Sequence, residues 1–483
     1  MKRLPLNLLS TLFLLSSFAL QTAVAAETSR PNILFIGFDD MRPLMGCYGD
    51  PVAKTPNLDA FAKRSVLFSN AHVQQAVCAA SRASFLTGCR PETTGVDYPY
   101  TKEFETTFIK DHPTITTRFH DEGYFTRVIG KIHHGSLDEP LSAPIYKRFT
   151  LHGHILPENK KLRQGQRQPF EHPEVADNAY ADGLLADETI KTIRQQKKNE
   201  DPFFLAVGFF KPHLPWNCPK KYYDLYQTSE MPLAKVRELP VDGFPWSTYH
   251  VAVNAYAGPD PSNENILKDK RSRQLIHSYY ACMSYVDAQF GRIIDELDRQ
   301  GVMDDTIIVV WSDHGYHLGE QAMWGKSANF FLDTHVPLLV YTPTLKTAGE
   351  TSPALVEYVD LYPTLTELAG LGTPDYLEGT SLTPLLEAPD REWKSAVFAQ
   401  YPRHDREGFV VQTKDYRYIE WRERSEGGPI GEILGRELYD HRTDRYEARN
   451  LAGEADFQAV VSQMSQQLAD GWKSALPPVS GKE

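Results

Sequence analysis

The sequence predicts an α/β protein: a large, mainly parallel sheet sandwiched by helices, followed by a small C-terminal antiparallel-sheet subdomain. Three observations carry this. Asn32 to Phe38 (NILFIGF), Phe203 to Phe210 (FFLAVGFF) and Thr306 to Trp311 (TIIVVW) are short continuous apolar runs, as in strands buried on both faces. Helical patterns lie between them, so the strands are joined by crossovers. Beyond Leu386 the pattern changes to short strands and one closing helix.

Taken in order, the first strand ends in Asp39-Asp40. Pro56 to Ser65 reads as a short helix with Thr55 as its cap and Pro56 at its first position. Within Val77 to Gly88 a short helix begins at Ser81, which can cap it, and ends at Gly88, which leaves Cys78 just before a helix N-terminus. There the backbone N–H groups and the dipole favour negative charge, which Arg82 is placed to neutralise. Pro113 to Glu122 is a further helix. Tyr124 to Ile129 is a strand that delivers Gly130-Lys131-Ile132-His133-His134. From 135 to 177 the chain is rich in Pro, His and Lys and reads as long loops over the active face.

Tyr180 to Gln196 is an amphipathic helix, and the strand after it ends in Lys211-Pro212-His213. Residues 219–265 are irregular. Asp269 to Arg299 is a long helix closed by Gly301. The Thr306 strand ends in Ser312-Asp313-His314-Gly315, and Trp324-Gly325-Lys326 follows on a loop. His335 to Tyr341 is a fourth strand, and Leu361 to Ala369 is helical. Ala396 to Gln400, Phe409 to Thr413 and Tyr416 to Trp421 are short strands, and Ala455 to Trp472 is the closing helix. The main domain is thus expected over 28–385 and the subdomain over 386–483.

A chain that is 41% hydrophobic and 24% charged is not a disordered one. The net charge of −12, with no basic run, argues against a nucleic-acid partner, so an anionic substrate needs a local basic pocket. Lys2 and Arg3 precede an apolar core, Leu6 to Leu20, that is too short to span a bilayer, and Ala23-Val24-Ala25 offers a cleavage site. Residues 1–25 are therefore expected to be a cleaved signal peptide, which makes the mature protein periplasmic or secreted. No Cys follows the cleavage site, so no lipid anchor to the membrane is expected. The five cysteines (Cys47, Cys78, Cys89, Cys218 and Cys282) suit neither a zinc site nor a dense disulfide framework. Setting Cys78 aside leaves four, enough for one or two disulfides whose pairing is not legible.

In open α/β sheets, ligands sit at the carboxyl ends of strands. Asp39, Asp40, Asp313 and His314 stand there. Adjacent carboxylates repel unless a cation joins them, although the Asp39-Asp40 pair alone reads equally well as a turn. An oxygen-rich set suits a hard divalent cation such as Ca²⁺, and the spacing leaves Mg²⁺ and Zn²⁺ open. Arg82, Lys131 and Lys326 are candidate cations for an anionic group, and His134 and His213 are candidate proton-transfer groups. One at a time these are ordinary surface lysines and structural histidines. Their shared position, just past a strand end or beside Cys78, sets them apart. His133, His317 and His335 lie close by and read as structural or as supports behind the site.

Cys78-Ala79-Ala80-Ser81-Arg82 followed by Leu86-Thr87-Gly88 resembles the signature of the type I, formylglycine-dependent sulfatases. Ser312-Asp313-His314-Gly315 is similar to a second element of that family. Lys211-Pro212-His213 and Gln400-Tyr401-Pro402-Arg403 resemble its iduronate-2-sulfatase branch and bacterial polysaccharide-sulfatase relatives. Ala80 stands where the family usually has Pro, a variant seen in members matured by an anaerobic radical system.

The resemblance implies the alkaline-phosphatase-like sulfatase fold. It implies that a sulfatase-maturing enzyme oxidises Cys78 to formylglycine (3-oxoalanine). One Ca²⁺ would then be held by Asp39, Asp40, Asp313, His314 and the modified Cys78. A hydroxyl of the aldehyde hydrate attacks sulfur, and Lys326 or His213 protonates the leaving oxygen. Lys131 and Arg82 hold the sulfate, and His134 takes a proton from the remaining hydroxyl. The sugar-facing positions depart from the branch. Tyr316-His317 replace Trp-Ala, Ser327 replaces Tyr, and Asp405-Arg406-Glu407-Gly408 lies where a Lys is expected. Tyr316, His317, Arg403 and Arg406 are the candidates for meeting the sugar.

The implied substrate is a sulfated saccharide: a 2-O-sulfated uronate of a glycosaminoglycan, or an algal polysaccharide such as carrageenan or ulvan. Two other classes compete. A phosphatase or phosphodiesterase on the related scaffold would place Ser or Thr at the nucleophile position and carry more metal ligands. A non-catalytic saccharide-binding relative would not need Cys78, Arg82, Lys131, His134, His213 and Lys326 together.

Overall fold

The computed structural model describes residues 30–97, 100–134, 153–199, 201–248, 253–256, 267–425 and 430–478. The expected signal peptide and residues 135–152 of the expected long loops lie outside the described residues.

Six strands make the central sheet: β1 (Asn32–Asp39), β2 (Val66–His72), β3 (Phe125–Gly130), β4 (Phe203–Pro212), β5 (Thr306–Ser312) and β6 (His335–Tyr341). Their order is β2-β6-β5-β1-β4-β3, with the short strands Thr351–Ser352 and Val356–Glu357 added to β2. β1 is central and parallel to both neighbours, with Leu34 opposite Leu205 and Ile308. β3 is parallel to β4. β6 runs antiparallel to β5 and β2. An apolar run carries no direction, so this reversal inside the mainly parallel sheet is not visible in the sequence.

Alternate residues of β1 face two cores, as the period of a strand requires. Leu34 and Ile36 join Leu205, Val207 and Leu339 in one core. That core is closed by α1 (Pro56–Ala62), α4 (Ala181–Asn199) and α5 (Asp269–Gln300) through Phe61, Leu185 and Phe290. On the other face, Ile33 and Phe35 join Ala206, Val309 and Leu338. There α2 (Cys78–Thr87), α3 (Ile115–Asp121) and α6 (Leu361–Leu368) pack through Phe85, Phe119, Leu361 and Leu365. Ile33, Leu34, Phe35 and Ile36 are fully buried, each contributing roughly 1.5–3 kcal/mol relative to exposure. Two dry layers hold β1 rigid, and β1 carries the acidic dyad.

The C-terminal sheet has four antiparallel strands in chain order: β7 (Val397–Arg403), β8 (Arg406–Gln412), β9 (Tyr416–Arg424) and β10 (Ile430–Asp440). Three were expected. β10 escapes a hydrophobic pattern because Ile430 to Glu437 is largely exposed and interrupted by Gly431 and Gly435. α7 (Gln458–Asp470) packs on the sheet through Val461 and Met464. It is shorter than expected, since Ala455–Phe457 and Trp472–Ala475 are 3₁₀ turns on either side.

Residues 31–483 form one compact unit, so the boundary expected near 385 separates two sheets inside one body. A buried ion network ties them: Arg90 and Lys394 converge on Glu357, Lys394 also meets Asp360, and Phe398 of β7 donates to Glu357. The five cysteines are free thiols, so none of the disulfides allowed by the count is formed. Among the described residues, no helix is long and apolar enough to cross a membrane.

Candidate active site

Four strand ends and one helix start meet at the carboxyl edge of the sheet. β1 supplies Asp39 and Asp40, and the end of β5 supplies Asp313 and His314. β3 leads into Lys131 and His134, and β4 into His213. Lys326 follows the short strand Trp324–Gly325.

The start of α2 differs from expectation. Val77, with extended backbone, precedes the first turn, and Cys78 is the first helical residue. Ser81 is therefore inside the helix and does not cap it. Its hydroxyl donates to the carbonyl of Asp313 and ties α2 to the end of β5. Gly88 ends the helix as expected, in the left-handed conformation that glycine adopts without strain (φ +70°). Thr55 likewise precedes α1 without a side-chain cap. Its hydroxyl donates to Asp59 instead.

Glycines set the approach of Lys131. A Cβ on Gly208 would lie 1.9 Å from the Lys131 carbonyl, and one on Gly130 would lie 2.2 Å from the Gly208 carbonyl. Only bare backbone lets the ends of β3 and β4 close so tightly. Lys131 then reaches over β4 to Asp39, with Nζ 2.5 Å from Oδ2.

The charges interlock. Lys326 Nζ lies 2.5 Å from Asp40 Oδ1, and Arg82 Nε lies 3.0 Å from Asp313 Oδ2. Arg82 Nη2 is 3.5 Å from Asp39 Oδ1. His314 Nε2 sits 3.4 Å from Asp40 Oδ1 and 3.5 Å from Asp313 Oδ2, while its Nδ1 faces the Gly315 carbonyl at 3.0 Å. That second bond places a proton on Nδ1 and turns Nε2 toward the cluster. His213 repeats the arrangement, with Nδ1 on the Leu214 carbonyl at 2.5 Å and Nε2 4.0 Å from Asp40 Oδ2. Cys78 Sγ lies at the centre: 3.3 Å from His314 Nε2, 3.5 Å from Asp39 Oδ1 and 3.7 Å from Lys326 Nζ. The backbone N–H of His134 donates to Tyr100 Oη at 3.2 Å, and the two rings meet edge to face with centroids 6.1 Å apart.

Burial and charge pull the titrations apart. Burial pushes the Asp39 carboxyl up, but Lys131, His213, Arg82 and Lys326 together hold it well below the usual carboxylate range. Burial also opposes the charges of Lys131 and Lys326, yet Asp39 and Asp40 respectively keep the two ammonium groups charged. Burial, reinforced by Lys131 and Arg82, pushes His134 down to about 4, so it stands as a neutral base at ordinary pH.

The residues fit a divalent cation. One donor atom each from Asp39, Cys78, Asp313 and His314 lies within 4.8 Å of all the others, and the same holds for Asp39, Asp40, Cys78 and His213. Three buried carboxylates and an imidazole are the donor set of a hard, oxygen-preferring ion. The thiol of Cys78 occupies the place that an oxygen of an oxidised side chain would take.

The expected sugar-facing residues divide. Tyr316 and His317 are fully buried, which corrects the expectation for both. Tyr316 stacks on Tyr279 and meets the edge of Trp216 beneath the site. His317 pairs with Asp333 at 2.9 Å. The dipeptide turns into a short strand, His317–Leu318, and so points into the interior. Arg403 is nearly buried and donates to the carbonyls of Trp246 and Ser327, which ties a loop to the residue after Lys326. Arg406 keeps its side chain 27% exposed and lies over the Trp246 ring, 4.6 Å from its centroid. Of the two arginines, Arg406 is the one presented outward.

Sequence reasoning missed Tyr279 and Tyr100, and it gave Ser312, part of the Ser312-Asp313-His314-Gly315 element, no role of its own. Tyr279 and Ser312 bond the turn after β1, and Tyr100 holds His134. Nothing in the local pattern of the two tyrosines distinguishes them from core residues.

Residues 31–371 match the family described as Sulfatase, and residues 319–474 match N-sulphoglucosamine sulphohydrolase, C-terminal. Iduronate 2-sulfatase of Mus musculus is 33% identical, over 86% of this chain and 89% of that protein. A sulfatase of Formosa agariphila is 30% identical, over 91% of this chain and 86% of its own length. Among solved structures, phosphonate monoester hydrolase of Agrobacterium radiobacter superposes with a TM-score of 0.73 at 23% identity, covering 92% of this chain and 96% of that one. BT1596, a 2-O GAG sulfatase, gives 0.68 at 23% identity, covering 92% and 93%. These last two likenesses concern the fold. The match to the family over most of the chain gives the conclusion: the chain belongs to the sulfatase family and is a sulfuric ester hydrolase.

Proposed function

We propose that the protein is an exported sulfatase that removes sulfate from a sulfated saccharide, using a formylglycine made from Cys78 by a sulfatase-maturing enzyme and one bound Ca²⁺. The observation that carries this reading is the position of Cys78 Sγ, within 3.7 Å of His314, Asp39 and Lys326 at the centre of the charged cluster. The export reading rests on the Lys2-Arg3 and Leu6–Leu20 pattern.

Asp39, Asp40, Asp313 and His314 would hold the cation, which supplies charge for the sulfate oxygens. The oxidised side chain supplies the nucleophilic oxygen at the place of Sγ. The chain's own groups do the rest. Lys131 holds sulfate oxygens from one side, where its charge meets the negative charge that builds in the transition state, and Arg82, fully buried against Asp313 and Asp39, keeps that side of the site in place. Lys326 and His213 flank Asp40 on the other side; Lys326, kept charged, is placed to give a proton to the leaving sugar oxygen, while burial and Lys326 hold His213 neutral with no proton on its inward Nε2. His134, kept neutral, accepts a proton when sulfate is expelled.

The substrate we favour is a 2-O-sulfated uronate of a glycosaminoglycan, supported by the relatives named iduronate 2-sulfatase. Arg406 is the outward cation that would meet the uronate carboxylate, with Arg403 holding the loop beneath it. A second reading, an algal polysaccharide such as ulvan or carrageenan, is favoured by Asp405-Arg406-Glu407-Gly408 standing where the iduronate branch has a Lys. It is supported by a relative named ulvan-active sulfatase at 27% identity. The test is sulfate released by protein co-expressed with a maturing enzyme, with Cys78→Ala as the blank. The panel sets a 2-sulfated uronyl disaccharide beside carrageenan and ulvan oligosaccharides. Release from the disaccharide alone supports the first reading, release from an algal oligosaccharide alone supports the second, and no release from any sulfated saccharide sinks both.

A further inference from the structure

Asp39 and Asp40 are neighbours at a strand end, where successive side chains normally point to opposite faces. Here both carboxylates have a donor atom within the same 4.8 Å cluster. The backbone shows how: Asp40 has φ +67°, a left-handed conformation that swings its side chain to the side of Asp39. A non-glycine residue holds such a conformation only where its surroundings over-determine it.

The surroundings are three long-range ties. The Asp40 N–H donates to Asp313 Oδ1 at 3.1 Å, and the Met41 N–H to Ser312 Oγ at 2.9 Å. The third comes from outside the sheet. Tyr279, in the middle of α5, donates from Oη to the Asp40 carbonyl at 2.7 Å and accepts from the Arg42 N–H at 3.1 Å. One hydroxyl thus closes both ends of the turn. Its ring is fully buried, stacked on Tyr316 with centroids 5.8 Å apart and edge-on to Trp216 at 6.0 Å.

We infer that Tyr279 is a positioning residue for the cation site: its hydroxyl latches the Asp40–Arg42 turn and so aims the Asp40 carboxylate at the cation. The inference rests on the Ca²⁺ reading proposed above. Tyr279 touches neither the sulfate nor the cation and acts through Asp40.

A matched pair of variants tests it. Tyr279→Phe removes the latch and keeps the ring. Tyr316→Phe removes a hydroxyl from the same buried aromatic layer, one with no hydrogen-bond partner among the described residues. Ca²⁺ affinity is read by titration calorimetry on protein stripped with a chelator, and unfolding temperature is read in parallel. The expected result is that Tyr279→Phe binds Ca²⁺ about 10–100-fold more weakly, while Tyr316→Phe stays within about twofold of the wild type. Unchanged affinity in Tyr279→Phe overturns the inference, as does equal weakening in both variants, which would mark a general packing effect. A wild-type protein that takes up no Ca²⁺ overturns the cation reading as well, so the two failures are distinguishable. If Tyr279→Phe does not fold, Ser312→Ala loosens the same turn from the other side and is expected to lower affinity in the same direction. Unchanged affinity there overturns the latch.

Discussion

Arg82 Nε donates to Asp313 Oδ2 across 3.0 Å, and neither side chain has any exposed surface. The pair joins α2, which carries Cys78, to the end of β5, which carries two of the proposed cation ligands. Removing one partner of a buried pair costs about 3–5 kcal/mol, because the other charge stays behind without water. Arg82→Met is expected to lower stability by that amount in denaturant titration and to abolish sulfate release. Arg82→Lys is expected to remain badly impaired, since Lys reproduces neither the Nε contact to Asp313 nor the Nη1 contacts to the carbonyls of Lys131 and Ile132.

Ca²⁺ that binds only the folded state stabilises it by mass action, about 2.7 kcal/mol at one hundred times its dissociation constant. Chelator-stripped protein is expected to rise in unfolding temperature as Ca²⁺ is added. Asp313→Asn is expected to lose that rise. A rise of equal size in the variant would contradict the ligand assignment.

In the proposed mechanism His134 sets the acid side of the pH–rate profile. Its neutral form is the proposed base, and burial with Lys131 and Arg82 nearby puts its folded value at about 4. Catalysis therefore survives as pH falls through 6.5, where an ordinary imidazole would charge, and fails only as pH nears 4. An acid limb of kcat/KM close to 6.5 would remove His134 from this role.

The ion network under the C-terminal sheet has its own pH signature. Burial pushes Glu357 up, but Arg90 and Lys394 prevail and hold it at about 2, against an ordinary value of 4.5. A depressed carboxyl stabilises the fold above its unfolded value, and that contribution is lost as pH falls toward the folded value. Lys394→Met is expected to cost about 3–5 kcal/mol near neutrality. The gap in unfolding temperature between variant and wild type is expected to narrow between pH 4.5 and 2.

Arg406 lies over Trp246, and among the described residues its carboxylate partner, Asp405 at 3.3 Å, is largely exposed. If it reads a second anionic group on the sugar, Arg406→Gln is expected to cut the kcat/KM ratio between a carboxylate-bearing and a neutral sulfated sugar by about tenfold, the value of one charged hydrogen bond. An unchanged ratio would place that group elsewhere.

The candidate site residues were legible because strand ends announce them. Polar groups following the runs at 32–38, 203–210 and 306–311 fall at one sheet edge by topology alone. The direction of β6 was not legible, because apolar runs are symmetric under reversal. Tyr316 and His317 were misread as sugar-facing because a departure from the branch's Trp-Ala says nothing about side-chain direction: the chain enters a short strand at His317 and both side chains are buried. Ser81 was misread because a Ser at a helix start resembles a cap, whereas the break in backbone falls at Val77. Tyr279 was invisible: it sits on a helix rich in buried aromatics, and only the fold brings its hydroxyl to a turn 237 residues away in sequence.

The account stands on Cys78 being the precursor of the nucleophile, and the mass of the peptide containing it is the most direct test. In protein co-expressed with a maturing enzyme, the peptide should carry an aldehyde in place of the thiol, with sulfur lost and one oxygen gained, and the fraction converted should track sulfate release from preparation to preparation. Sulfate release from protein whose Cys78 is entirely unmodified, or from Cys78→Ala, would contradict the account.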